Sequence, residues 1–178
     1  MTKVITGETR WSYANVWEPK AMVEGAQAKY SVSLIIPKSD KNTIERINNA
    51  IKEAYNEGLS KLKGNSKSVP SFENIKKPLR DGDTEREGDP AYANSYFVNA
   101  NSPNPPGIIG PDKMDILNHR EVYSGCYGKA SITFYAYNAN GSRGIACALN
   151  NLMKTRDGEP LGSKATAEDD FADEDLLD

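Results

Sequence analysis

Eighteen residues in the second half of the chain, EVYSGCYGKASITFYAYN (121–138), alternate in polarity over almost their whole length. Even positions Val122, Cys126, Ala130, Ile132, Phe134 and Ala136 are apolar. Odd positions Tyr123, Tyr127, Lys129, Ser131, Thr133, Tyr135 and Tyr137 carry aromatic, cationic or hydroxyl groups. A strand turns successive side chains to opposite faces, so this period of two predicts a long β-strand with one face in a core. Gly125 and Gly128 predict a bulge or bend, the distortion that a curled barrel strand needs. A turn at Ala139-Asn140-Gly141-Ser142 followed by GIACALNNLM (144–153) predicts a hairpin partner. The odd face is unusual for one that merely meets water, because it holds four tyrosines. Flat rings give a nucleic-acid base a stacking surface worth ~1–3 kcal/mol per base, and interleaved cations follow the phosphates. The same tyrosines also suit cross-strand packing against a loop or second sheet.

The first half adds further strands and one helix. Residues 3–17 (KVITGETRWSYANVW) read as one or two strands bent near Gly7 and stopped at Glu18-Pro19. Trp11, Tyr13 and Trp17 share parity there, with Arg10 beside them, as stacking candidates or core anchors. KYSVSLIIP (29–37) is a strand with Tyr30, Val32, Leu34 and Ile36 on one face and Lys29, Ser31 and Ser33 on the other. From a cap at Ser39 or Asp40, Ile44, Ile47, Ile51, Ala54, Tyr55, Leu59 and Leu62 recur at helical spacing and predict a scaffold helix to Leu62. SYFVNAN (95–101) is a short strand before a Pro/Gly-rich loop. Helix–strand alternation is absent, so a mainly β fold, a barrel or an α+β domain, is expected over residues 1–164.

Charge divides the chain in two. Residues 165–178 (ATAEDDFADEDLLD) hold seven acids and no base, so a net charge of −3 conceals a body of +4. A basic body beside an acidic tail predicts two regions that attract each other, and the tail is too poor in apolar surface to fold. Cations outside the strands gather at Lys61, Lys63, Lys67, Lys76, Lys77 and Arg80. Cys126 and Cys147 lack CxxC spacing and His119 is the sole histidine, which argues against a disulfide framework, a zinc site and histidine catalysis. No cofactor is expected. No apolar run approaches the ~20 residues of a membrane span, and MTKVITGETR does not read as a signal peptide, so a cytoplasmic location is the expectation.

One segment invites enzymatic chemistry. DGDTEREGD (81–89) sets Asp81, Asp83, Glu85, Glu87 and Asp89 at two-residue intervals. An EF-hand loop starting at Asp81 would need Gly at 86 and Glu at 92, where the chain has Arg86 and Tyr92. A metal-dependent nuclease using Asp81, Asp83 and Glu85 stays open as an alternative, beside a solvated turn. A third reading is a protein-recruiting adaptor.

KPLRDGD (77–83), AYANSYFVNANS (91–102), EVYSGCYGKASITFYAYN (121–138), GIACALNN (144–151) and RDGEPLG (156–162) together resemble a family of phage- and prophage-encoded single-stranded DNA-binding proteins of Gram-positive hosts. That family is distantly similar to the replisome single-stranded DNA-binding proteins of small lytic phages. The resemblance implies an oligonucleotide/oligosaccharide-binding (OB) fold, a five-stranded barrel with a helix between its third and fourth strands. The bent 3–17 segment counted as two strands, then 29–37, then the helix, matches that order. It also implies homodimers, and an acidic C-terminus that lies in the DNA groove until DNA displaces it and then recruits polymerase or helicase. Glu168, Asp169, Asp170, Phe171, Asp173, Glu174, Asp175, Leu176 and Leu177 would supply that function, although relatives end on the aromatic itself and this chain does not.

The expectation is therefore a non-enzymatic, sequence-tolerant binder of single-stranded DNA in phage replication or recombination. Its stacking residues would be Tyr123, Tyr127, Tyr135, Tyr137, Trp11 and Tyr13. Its phosphate partners would be Lys29, Lys76, Lys77, Arg80 and Lys129.

Overall fold

The computed structural model describes residues 2–21 and 23–161. The expectations placed on the acidic run 165–178 lie outside the described residues. In chain order the elements are β1 (Lys3–Ile5), β2 (Thr9–Lys20), β3 (Lys29–Pro37), α1 (Lys41–Glu57), α2 (Leu59–Lys63), β4 (Leu79–Asp81), α3 (Gly82–Glu85), β5 (Ser95–Ser102), β6 (Gly107–Ile109), β7 (Tyr127–Ala139) and β8 (Ser142–Arg156). β2 pairs antiparallel with β3 and β7, β3 with β5, and β7 with β8, while β5 meets β8 in parallel. Five strands thus close on themselves in the order β2–β3–β5–β8–β7, the arrangement of an OB barrel.

The mainly β expectation holds, but the helix follows the second strand of this ring and not the third. The 3–17 segment does form two strands. Only β2 joins the ring, because the three-residue β1 lies on the edge of β7, with Lys3 opposite Thr133 and Ile5 opposite Ser131. β4 and β6 likewise extend β5 and β8.

Alternation fills the inside of the ring. Leu34 and Ile36 of β3, Val98 of β5, Ile132 and Phe134 of β7 and Cys147 of β8 share one core, and every apolar even position read from 122 to 136 is buried. Burial also pushes the Cys126 and Cys147 thiols above their ordinary pKa, as expected of small core residues. Helix α1 packs on this core through Ile47, Ala50, Ile51 and Ala54. Its start is set by Asp40, which accepts from the Thr43 N–H at 3.2 Å and the Thr43 hydroxyl at 2.7 Å. The helix predicted to run to Leu62 breaks at Gly58, where the Ala136 methyl occupies the space a Cβ would need. The break turns Leu59 outward, 38% exposed, while Leu62 returns to the core.

The shared parity of Trp11 and Tyr13 does not survive folding. The register of β2 against β3 shifts between Ser12 and Asn15, and Tyr13 sits there at φ +47°. A bulge inserts one extra residue and resets the alternation. Trp11 is consequently wholly buried, with Gly128 leaving room for its ring, whereas Tyr13 is 59% exposed.

Candidate nucleic-acid interface

The outward faces of β2, β3 and β5 carry small hydrogen-bonding side chains in register. Asn15 lies opposite Ser31 and Ser31 opposite Asn101; one step along, Ser12 lies opposite Ser33 and Ser33 opposite Asn99. These strands floor a groove of about 620 Å³ that also takes in Tyr13, Gln27, Lys20, Lys29 and Arg86. Three cations line it and, among the described residues, no acid does. Neither Asn99, Asn101 nor Gln27 has a hydrogen-bonded side-chain partner among the described residues. Each amide therefore presents a free donor and a free acceptor.

Arg86 sits over an apolar cluster outside the ring. Ile35, Tyr92 and Phe97 pack there, the two rings edge to face at 5.1 Å, and the Tyr92 hydroxyl donates to Ser33 Oγ at 3.1 Å. The guanidinium carbon lies 5.7 Å from the Tyr13 ring centre, 5.6 Å from Tyr92 and 5.5 Å from Phe97. Its Nε is buried and has no hydrogen-bond partner among the described residues. Leu161, the last described residue, packs on the same apolar cluster.

The residues singled out from sequence fall into separate places. Tyr13 and Lys29 meet in the groove. Trp11 leaves the set, since a wholly buried ring cannot stack on a base; its Nε1–H donates to Thr9 Oγ1 at 3.2 Å inside the core. In the turn before β7, where the sequence pattern predicts strand from 121, Tyr123 is held by its hydroxyl, which donates to the Gly158 carbonyl at 2.8 Å and accepts from the Gly158 N–H at 3.1 Å. Tyr127 has the Arg156 guanidinium at 3.8 Å and that of Arg10 at 5.5 Å. At the far end of β7, Tyr135 is 42% exposed, and burial of the remainder raises its pKa. Tyr137 and Lys76 converge over Gly144: a Cβ there would lie 3.0 Å from the Tyr137 hydroxyl and 2.7 Å from the Lys76 Cβ. Lys129 borders a different hollow with Ile5 and Met153. Lys77 is drawn over the Phe72 ring at 4.7 Å, and Arg80 lies 3.6 Å from Glu85.

The acidic segment is engaged elsewhere. Lys38 bridges Asp81 at 2.9 Å and Asp83 at 2.7 Å, Asp81 accepts from the Asp83 N–H to cap α3, and Glu85 faces Arg80. Hydrogen bonds from Lys38 and then the Asn94 N–H hold the Asp83 carboxyl below its ordinary pKa. The nuclease alternative finds no support in this geometry: the Lys38 ammonium fills the point where Asp81 and Asp83 converge, Glu85 turns to Arg80, and among the described residues no three such groups gather to hold a metal ion. What the segment does contribute is Arg86. Sequence reading passed over it because it stands among acids, and passed over Asn99 and Asn101 because amides lack the signature of rings or charges. The period-two spacing of Asn99 and Asn101, and of Ser31 and Ser33, was the available signal.

A family model described as the single-stranded DNA-binding protein of Enterobacter phage Enc34 matches residues 2–178. Protein p50 of Acyrthosiphon pisum secondary endosymbiont phage 1 is 28% identical over 180 residues, covering 96% of this chain and 93% of that protein. Among solved structures, the bacteriophage Enc34 single-stranded DNA-binding protein in complex with single-stranded DNA aligns with a TM-score of 0.76 at 22% identity, covering 90% of each chain. The single-stranded DNA-binding protein gp2.5 of bacteriophage T7 aligns with a TM-score of 0.64 at 13% identity, covering 93% of this chain and 98% of that one. These relatives support the phage and OB-fold parts of the resemblance and leave its Gram-positive part without support.

Proposed function

This chain belongs to the family of phage single-stranded DNA-binding proteins represented by that of Enterobacter phage Enc34, and from that premise we propose that it holds the strand in the groove across β2, β3 and β5. The observation that carries this reading is the groove's lining of three cations without a described acid. Phosphates release condensed counterions when lysine and arginine take their place, which supplies salt-sensitive and sequence-independent affinity. Tyr13 offers a ring to a base at the groove wall. Lys29 serves as a phosphate partner. Tyr135, Tyr137 and Lys76 form a further aromatic and cationic patch available to a longer strand. The role is non-enzymatic, exercised in phage DNA replication or recombination in the cytoplasm of the bacterial host.

The acidic run 165–178 is proposed as the groove's competitor and as the element that recruits polymerase or helicase. Two facts support it: the run carries seven acids, and Leu161 leads into it from the apolar cluster beneath Arg86. The test is a titration of a labelled oligothymidylate, read by anisotropy, with the full chain and with residues 165–178 deleted. Binding that ignores salt, or no binding, would sink the DNA reading. Deletion is expected to tighten binding at low salt, with the two chains converging as salt screens the tail. A deletion that loses partner capture with DNA affinity unchanged would favour the adaptor. Light scattering of the same samples tests the homodimer.

A further inference from the structure

We propose that the groove contains a defined nucleotide subsite, in which Arg86 receives a phosphate and Asn99 with Asn101 reads the base edge without choosing among bases; this rests on the groove reading above. The first observation is electrostatic. A guanidinium with a buried Nε, no described ion pair and no described hydrogen bond is an incomplete arrangement, because a buried polar group without a partner is costly. The three rings at 5.5–5.7 Å stabilise its charge but leave its in-plane N–H donors unused. A phosphate matches the Nη N–H groups, which are not closed off as Nε is and have no described hydrogen bond, and the groove's lack of a described acid makes an external anion the partner that fits.

The second observation is the amide pair. Asn99 and Asn101 project from the same face of β5, two and four residues beyond Phe97, whose ring carries Arg86. Every base edge offers a neighbouring donor and acceptor. A side-chain amide supplies one of each and can turn over to exchange them. Such a contact gains hydrogen bonds from any base. The Ser31 hydroxyl, opposite Asn101, adapts in the same way. Sequence tolerance then has a physical source beyond stacking.

The two halves separate experimentally. Wild type, Arg86→Gln, Arg86→Lys and Asn99→Ala/Asn101→Ala are titrated with an oligothymidylate and with the same strand containing abasic sites, over a series of salt concentrations. Wild-type binding that rises as salt falls tests the groove reading itself. Given that, Arg86→Gln is expected to lose about tenfold at low salt and to lower the slope of log K against log salt by about 0.7, one phosphate's share on a single strand. Arg86→Lys, which keeps the charge, should keep the slope. The double asparagine variant should keep the slope and lose several-fold on the intact strand, with little loss on the abasic one. An unchanged slope in Arg86→Gln overturns the phosphate role. Equal loss on both strands, or none, overturns the base role. Thermal unfolding midpoints near wild type are required of each variant, and Arg86→Met, which keeps an apolar stem over the rings without the charge, repeats the phosphate test if Arg86→Gln unfolds.

Discussion

Two outer faces of the same ring differ in how completely their polar groups are satisfied. Around the entry to β7 the aromatic side chains that the sequence advertises are already engaged: Tyr123, in the turn before the strand, exchanges hydrogen bonds with Gly158, and Tyr127, its first residue, faces the Arg156 guanidinium at 3.8 Å. On β2, β3 and β5 the side chains are plainer, yet the side-chain amides of Asn99 and Asn101 and the Nε of Arg86 have no described hydrogen-bond partner. Aromatic density measures what a surface could bind. Unmet hydrogen-bonding capacity measures what it still has to offer, and by that measure the groove is the receptive face.

The largest expected effect marks off the interior from both faces. Trp11→Ala should cost about 3–5 kcal/mol of stability in denaturant unfolding, as truncation of a fully buried indole does. A loss below about 1 kcal/mol would return Trp11 to the surface and undo its separation from Tyr13. Next comes the groove itself. Tyr13→Ala should weaken oligonucleotide binding by about 1–3 kcal/mol while leaving the unfolding midpoint almost unchanged. Tyr127→Ala is the counterpart on the engaged face: a cost near 0.5–1 kcal/mol in stability, from the lost cation–π contact, with smaller loss of binding than Tyr13→Ala. Reversal of that order in anisotropy titrations would break the contrast between the faces.

The smallest effect concerns pH. Asp83 is held below its ordinary pKa first by the hydrogen bond from Lys38. A carboxyl with a lower pKa folded than unfolded adds stability above the unfolded value and loses it as pH falls through the folded one. Acidification below about pH 4 should therefore remove this contribution. Lys38→Met should flatten that limb of the stability–pH profile and leave DNA binding intact. A binding defect in Lys38→Met would bring the acidic segment back into the site.

Much of the framework was legible because it rests on periodicity. The alternation of 121–138 placed Ala130, Ile132, Phe134 and Ala136 inside, β3 begins at Lys29 and ends at Pro37 as read, and Asn140 and Gly141 take the positive φ values a tight hairpin turn requires. What escaped depends on contacts between distant segments. The bulge at Tyr13 is set by pairing with β3, and the helix break at Gly58 by a methyl on β7. Arg86 becomes a groove residue because α3 and the loop after it lay it over Tyr92 and Phe97. Local pattern carries no trace of such long-range placement, so the ring was readable and the receptive face largely was not.

The ring closes between β5 and β8 on a single registered pair, Asn101 with Ala148. β7 and β8, by contrast, are joined along nearly their whole length. Local opening follows the density of backbone pairing, so the β5–β8 seam should be where this barrel breathes, with amide protons there exchanging ahead of those on β7. Asn101 belongs to both the seam and the groove floor. A strand seated in the groove would lie across the barrel's loosest joint, and hydrogen exchange at that seam should slow on binding.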